Sequence, residues 1–183
     1  DNYLVKQVID EAKRLGISAT VDKDDYNYSN SKAILVTSIQ TIVNGHSYFG
    51  MREAGNYPIG SIIIDDVHAC MDKIIDQFMI KIDAETDAYK ELIALFSSSL
   101  KDYNPKNYID VVEMKDCRNN MLVPYWEWQR QQDNIYRILT KYNNSDNTSI
   151  YFGLPLIERC LETCDCIITA SAIDISPKGI DLD

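Results

Sequence analysis

Three isoleucines run directly into two aspartates at Ile62-Ile63-Ile64-Asp65-Asp66, with His68 two places on. A fully apolar run that ends in adjacent carboxylates fits few backgrounds, because each acid raises the cost of ionising the other. Continuous apolar strands separated by helices indicate a parallel sheet buried on both faces, and ligands of such sheets bind beyond the carboxyl ends of the strands. The segments around this run support that reading. A helix over 1–15 carries Leu4, Val5, Val8, Ile9, Ala12 and Leu15 at helical spacing and stops at Gly16. Short strands are expected at Ile17–Val21 and Ala33–Thr37, a short helix over Ser38–Val43, a glycine-rich loop over Gly45–Gly60, and a strand at Ser61–Ile64. An amphipathic helix then leaves the site from Val67 to about Ile82.

The second half has a different texture. Helices are expected over Ala84–Leu100, from Val123 to about Tyr142, and over Tyr151–Leu161. Strands are expected at Tyr108–Val112 and at Cys166–Ser171 with Ile173–Pro177. The fold class is therefore α/β, a parallel sheet flanked by helices with a mostly helical second half. Its expected divisions are 1–83, 84–164 and 165–183, the last as strands returning to the first sheet.

Composition narrows the function. The chain has 183 residues, is 45% hydrophobic, and carries a net charge of −10. That is long enough to bury a core, and the charge opposes a broad nucleic-acid footprint, so any such binding must use locally aimed donors. No run approaches the ~20 apolar residues of a membrane span. The five cysteines, odd in number and without a C-x-x-C pair, suit a reducing cytoplasm.

In order along the chain, three segments resemble motifs of the DEAD/DEAH-box (DExH-type) superfamily 2 helicases. Asp1-Asn2-Tyr3-Leu4-Val5-Lys6-Gln7 resembles motif Ia, Val36-Thr37-Ser38-Ile39-Gln40-Thr41-Ile42 resembles motif Ib, and Asp65-Asp66-Val67-His68 resembles the Walker B motif. The resemblance implies a partial RecA-like parallel sheet flanked by helices, with 84–164 as a mostly helical insertion. It implies that Asp65 holds the Mg²⁺ of bound ATP and that Asp66 stands where a glutamate normally polarises the attacking water. It also implies that His68 couples the nucleotide site to neighbouring motifs, and that Asn2, Thr37, Ser38 and Gln40 face the phosphate backbone of one DNA or RNA strand. Arg52 is a further candidate for that face. Aspartate at position 66 is one methylene shorter than the usual base. No G-x-x-x-x-G-K-[ST] occurs in the 183 residues, so the β- and γ-phosphates lack a cradle here. With no initiating methionine and a helix already under way, the chain reads as an internal fragment of a first motor domain, inactive alone, whose parent would add a phosphate loop and a second RecA-like domain.

Other readings stand beside these. Asp65 and Asp66 also fit a solvated strand end, His68 a helix N-terminal residue, and Thr37 with Ser38 a helix cap. A non-catalytic interaction module on an α/β scaffold is the principal alternative function. A metal-dependent hydrolase would need further carboxylates, for which Asp22, Asp24 and Asp25 are candidates. Tyr125, Trp126 and Trp128 are expected in a core before a base-stacking surface. Cys160, Cys164 and Cys166 are expected to be buried thiols before zinc ligands, and His46 is expected in a solvated turn.

Overall fold

The computed structural model describes residues 2–49 and 59–179. Backbone contacts group them into two units, Asp1–Val43 with Ser47–Ile63, and Asn44–His46 with Ile64–Asp183.

The first unit opens with α1 (Asn2–Arg14), whose last turn carries Lys13 and Arg14 at the negative end of the helix dipole. Gly16 at φ +73° ends it in a left-handed residue. Its N–H reaches Lys13 O at 3.2 Å while Ile17 N–H reaches Ala12 O at 2.8 Å, the pair of bonds of a Schellman cap. Then follow β1 (Ala19–Thr20), α2 (Tyr26–Ser29), β2 (Ile34–Leu35) and α3 (Ile39–Ile42). β1 and β2 are parallel, with Ala19 opposite Ile34 and Thr20 opposite Leu35. These strands fall inside the expected ranges and are shorter. The expected strand at Ser61–Ile64 is absent: the segment has no strand assignment, and Ile62, Ile63 and Ile64 are 50%, 93% and 43% exposed.

The second unit contains α4 (Val67–Gln77), β3 (Ile80–Asp83), α5 (Asp87–Tyr103), α6 (Pro105–Tyr108) and a π-turn over Ile109–Glu113. After these come β4 (Asn120–Leu122), α7 (Tyr125–Arg130), α8 (Gln132–Lys141), α9 (Thr148–Ile157), a 3₁₀ segment over Glu158–Thr163, β5 (Cys164–Thr169) and β6 (Ala172–Pro177). The four strands are ordered β3-β6-β5-β4 and every pairing is antiparallel. Among the described residues, parallel pairing is confined to β1 and β2, so the chain is mixed α/β with two separate small sheets.

Period-2 alternation builds this second sheet. Ile80 and Ile82, Cys164, Cys166 and Ile168, and Ile173 and Ile175 are buried, while Lys81, Asp83, Asp165 and Asp174 alternate with them. The buried side joins Leu92, Phe96 and Leu100 of α5, Trp128 of α7, Ile135 and Leu139 of α8, and Ile150 and Ile157 of α9 in one cluster. Thr169 closes the β5–β6 turn, its hydroxyl oxygen accepting from Ser171 N–H and Ala172 N–H at 3.3 and 3.0 Å. α9 guards the outer edge of β3: Lys81 N–H donates to Ser149 Oγ at 2.7 Å, and a Cβ at Gly153 would lie 2.9 Å from Ile80 Cγ1.

Three expectations change here, and one strand is new. The helix from Val67 stops at Gln77, and Ile80–Asp83 is a strand, because Ile-Lys-Ile-Asp alternates with period 2 although Ile82 also falls on the helical stripe. Tyr108–Val112 is helical, not a strand: Pro105 opens α6 at its first turn and Asn104 Oδ1 accepts from Asn107 N–H at 3.2 Å. The long helix from Val123 divides into α7 and α8 at Gln131. Asn120–Leu122 forms an edge strand that its short, mixed sequence does not advertise.

Among the described residues Glu127 is the one charged side chain that is buried, 2% exposed. Burial pushes its carboxyl up, but hydrogen bonds with Arg130, Gln131 and Ser99, together with the Arg130 charge, outweigh this and leave it below its ordinary value. Arg130 lies 2.6 Å away and is largely exposed. Arg130→Ala is expected to cost about 2 kcal/mol, the penalty for a buried charge stripped of its best donor. The sign with pH follows from the depressed carboxyl. The pair's contribution is full above the unfolded value near 4.5 and fades as pH falls through the lower folded value. Urea titrations of both proteins at pH 7 and pH 3.5 should therefore show the gap narrowing in acid; a constant gap contradicts this account.

Candidate functional site

Asp65 and Asp66 lie where an extended apolar segment meets the N-terminus of α4. Asp66 is the helix cap, with φ +50° and ψ +71°, and its Oδ1 accepts from Ala69 N–H at 3.3 Å. Aspartate is one of few non-glycine residues that enter the left-handed region at small cost, and it also caps well, so local geometry suits Asp at this position better than the longer Glu. The Cys70 thiol donates to Asp65 O at 3.5 Å and Cys70 N–H to Asp66 O at 3.1 Å, tying the first turn of α4 back to the doublet. Both carboxylates and His68 are exposed. Among the described residues Asp65 forms no ion pair.

The two carboxylates can offer hard oxygens to a cation, with their charge set against the positive end of the α4 dipole. Mg²⁺ is commonly held by one or two carboxylates, with water and substrate phosphates completing its octahedron. The doublet fits that partial role. A self-sufficient cage is not present: among the described residues no three His, Cys, Asp or Glu side chains converge. Asp22 and Asp25 are occupied with backbone turns. Asp22 Oδ1 accepts from Asp24 N–H at 2.9 Å, and Asp25 Oδ1 from Asn27 N–H at 2.7 Å and Tyr28 N–H at 3.1 Å, capping α2.

The candidate nucleic-acid residues fall in the first unit. Asn2 is the first residue of α1. Thr37 and Ser38, both half-buried, follow β2, and Gln40 is exposed on α3. Ser38 caps α3, its Oγ accepting from Thr41 N–H at 3.3 Å, so the capping role weighed for it is present. Arg52 lies outside the described residues.

No family model, curated protein or solved structure matches the chain. Function must therefore be argued from the residues. No helix among the described residues is long and apolar enough to cross a membrane.

The aromatic triplet divides. Trp128 is in the core, its indole N–H donating to Leu161 O at 2.8 Å, whereas Tyr125 and Trp126 are 62% and 52% exposed. His46 is not a solvated turn residue: its ring stacks on Tyr151 at 3.9 Å and 12°, and its Nε2 is buried. Next to it, Gly45 N–H donates to Phe152 O at 2.9 Å, and any Cβ on Gly45 would strike that carbonyl and Pro155. A feature missed in the sequence is Asp174, half-buried opposite Lys81 with Oδ1 buried and unpartnered; burial raises its carboxyl. Its place was hidden because strand pairing, not local pattern, puts it there.

The cysteines are free thiols. Cys164 donates to Cys160 O at 3.4 Å, and burial pushes its thiol up to about 12; burial raises Cys166 further. Such thiols are poor nucleophiles and poor ligands. Iodoacetamide at pH 8 is expected to label exposed Cys117 rapidly, with Cys164 and Cys166 modified only after unfolding. Peptide mass spectrometry checks this, and early labelling of Cys166 would contradict the β5 register.

Proposed function

We propose that this chain is part of an ATP-dependent nucleic-acid helicase or translocase, bearing the carboxylate pair that handles magnesium and the attacking water but not the loop that grips the phosphates. The observation that carries the reading is Asp65-Asp66-Val67-His68 at the junction of an extended isoleucine run and a helix N-terminus, with both carboxylates exposed. Asp65 would hold Mg²⁺, Asp66 would orient the water, and His68 would couple the site to its neighbours. Bound Mg²⁺ supplies charge neutralisation of the phosphates. Asn2, Thr37, Ser38 and Gln40 would meet the strand backbone with side-chain and main-chain donors, which an acidic chain can do without a broad positive field.

The unpaired isoleucines suit this proposal. Water-exposed Ile62, Ile63 and Ile64 are what a buried parallel strand presents when its neighbours are missing, and a RecA-like sheet shared with β1 and β2 would cover them. A second RecA-like domain and a cytoplasmic setting belong to the same reading.

The test is nucleic-acid-stimulated ATP hydrolysis in a protein that joins this chain to a phosphate loop and a second motor domain. Asp65→Asn and Asp66→Asn should each lower turnover there by about 100-fold or more, whereas this chain alone should show none. Vigorous magnesium-dependent turnover by the isolated chain overturns the proposal. The alternative, a non-catalytic interaction module, is favoured by one observation, the open aromatic groove of the second unit.

A further inference from the structure

We infer that the groove between the end of α5 and the start of α7 binds a proline-rich peptide segment in the polyproline II conformation that carries a basic residue. This inference stands on the second unit alone and does not rest on the helicase reading.

Tyr103, Tyr125 and Trp126 are 60%, 62% and 52% exposed. Trp126 stands between the two tyrosines, with centroids 5.6 Å from Tyr103 at 77° and 5.3 Å from Tyr125 at 82°. Edge-to-face contact fixes each ring while leaving flat faces open, and Tyr and Trp in such clusters are the residues that dominate binding energy at interfaces. Their backbone is equally fixed. Tyr103 ends α5 at the Asn104-Pro105 stop, and Tyr125 and Trp126 follow Pro124, the cap of α7. Trp128, anchored to Leu161 O, lies about 200° around the helix from Trp126, which turns Trp126 outward.

The rings flank a groove of about 300 Å³ whose polar lining is Asn104, Asn107, Asp165 and Lys178. A polyproline II chain has no internal hydrogen bonds and presents its carbonyls outward, so it needs flat apolar slots for proline rings together with side-chain N–H donors. The aromatic faces supply the slots, and the Trp126 indole N–H and the Asn104 amide supply the donors. An added β-strand fits less well: β4 has only three residues, and its Asn120 carbonyl already accepts from Asn107 Nδ2 at 2.8 Å.

Charge selects the ligand class. Asp165 faces Lys178 at 3.8 Å with both side chains well exposed, a contact too long and too wet to be worth much, so a ligand arginine can compete for the carboxylate. A net charge of −10 favours a cationic peptide and opposes a phosphate polyanion.

The experiment titrates the full chain into a fluorescein-labelled ten-residue peptide of proline pairs separated by single arginines. Controls are the same peptide with glycine for proline and a ten-nucleotide oligothymidylate. The expected Kd for the proline peptide lies below about 1 mM. It should weaken at least about tenfold in Trp126→Ala and in Tyr103→Ala, and by a similar factor when glycine replaces proline. Nitrogen–proton NMR of the wild-type chain should show the Trp126 indole N–H moving on titration while that of Trp128 stays, a readout that does not depend on any variant folding. Absence of binding, equal binding of the glycine peptide, an unmoved Trp126 signal, or oligothymidylate moving the Trp126 signal as the proline peptide does would each overturn the inference.

Discussion

Trp128→Ala is expected to remove about 3–5 kcal/mol of stability, a large share of the ~5–15 kcal/mol that holds a domain of this kind together. Trp128 is 2% exposed, faces Phe96 at 6.1 Å, and donates its only N–H to Leu161 O at 2.8 Å. Truncation to alanine therefore loses the buried ring and opens a cavity where α7 meets the 3₁₀ segment ahead of β5. It also strands a buried carbonyl. Trp128→Phe keeps much of the ring and isolates the hydrogen bond, so it should cost markedly less than the alanine change. Trp126→Ala, two residues earlier and half exposed, should stay within about 0.5 kcal/mol. The comparison is informative because both tryptophans sit on one short helix with opposite predicted fates. Guanidinium titrations followed by far-UV circular dichroism would measure all three; near-equal losses at 126 and 128 would contradict the assignment of core and surface.

The same pair shows what the sequence could and could not reveal. A tryptophan-rich helix start reads as core, and one of its two tryptophans is; which one depends on the rotation of α7 against the sheet, a tertiary fact. β5 and β6 were legible to within two residues because β-branched and apolar residues cluster at Cys166–Thr169 and again at Ile173–Ile175, each in a strand of six residues. β3 and β4, with four and three residues, are too short for periodicity to separate strand from helix, so the antiparallel sheet could not be assembled from pattern. At the candidate site, the helix beginning at Val67 was legible and the strand before it was not realised. Isoleucine-rich runs have strand propensity, yet a strand exists only where a partner accepts its backbone bonds. Among the described residues no buried hydrophobic side chain precedes Ile80, and Ile62, Ile63 and Ile64 stay exposed without a strand partner.

That imbalance sharpens the test at the carboxylates. In the proposed motor, Asp66→Asn should lower kcat about 100-fold or more, the span ascribed to a positioned base, and Asp65→Asn should lower it further, since the proposed magnesium ligand would be lost and with it several kcal/mol of charge stabilisation. Asparagine is the informative replacement. It matches aspartate in size, caps helices about as well and tolerates the left-handed backbone found at Asp66, so stability should hardly change while turnover collapses. Asp66→Glu separates the two demands on this position. The longer acid restores the reach usual in the resembled family, but it is a poor cap and is disfavoured at φ +50°, so it should destabilise α4 locally while retaining more turnover than Asn. If Asp65→Asn and Asp66→Asn both hydrolyse ATP at the parental rate, the paired acids are a solvated helix cap and nothing more. An equal loss of stability and activity would lead to the same conclusion by another route, since a purely structural cap predicts that the two fall together.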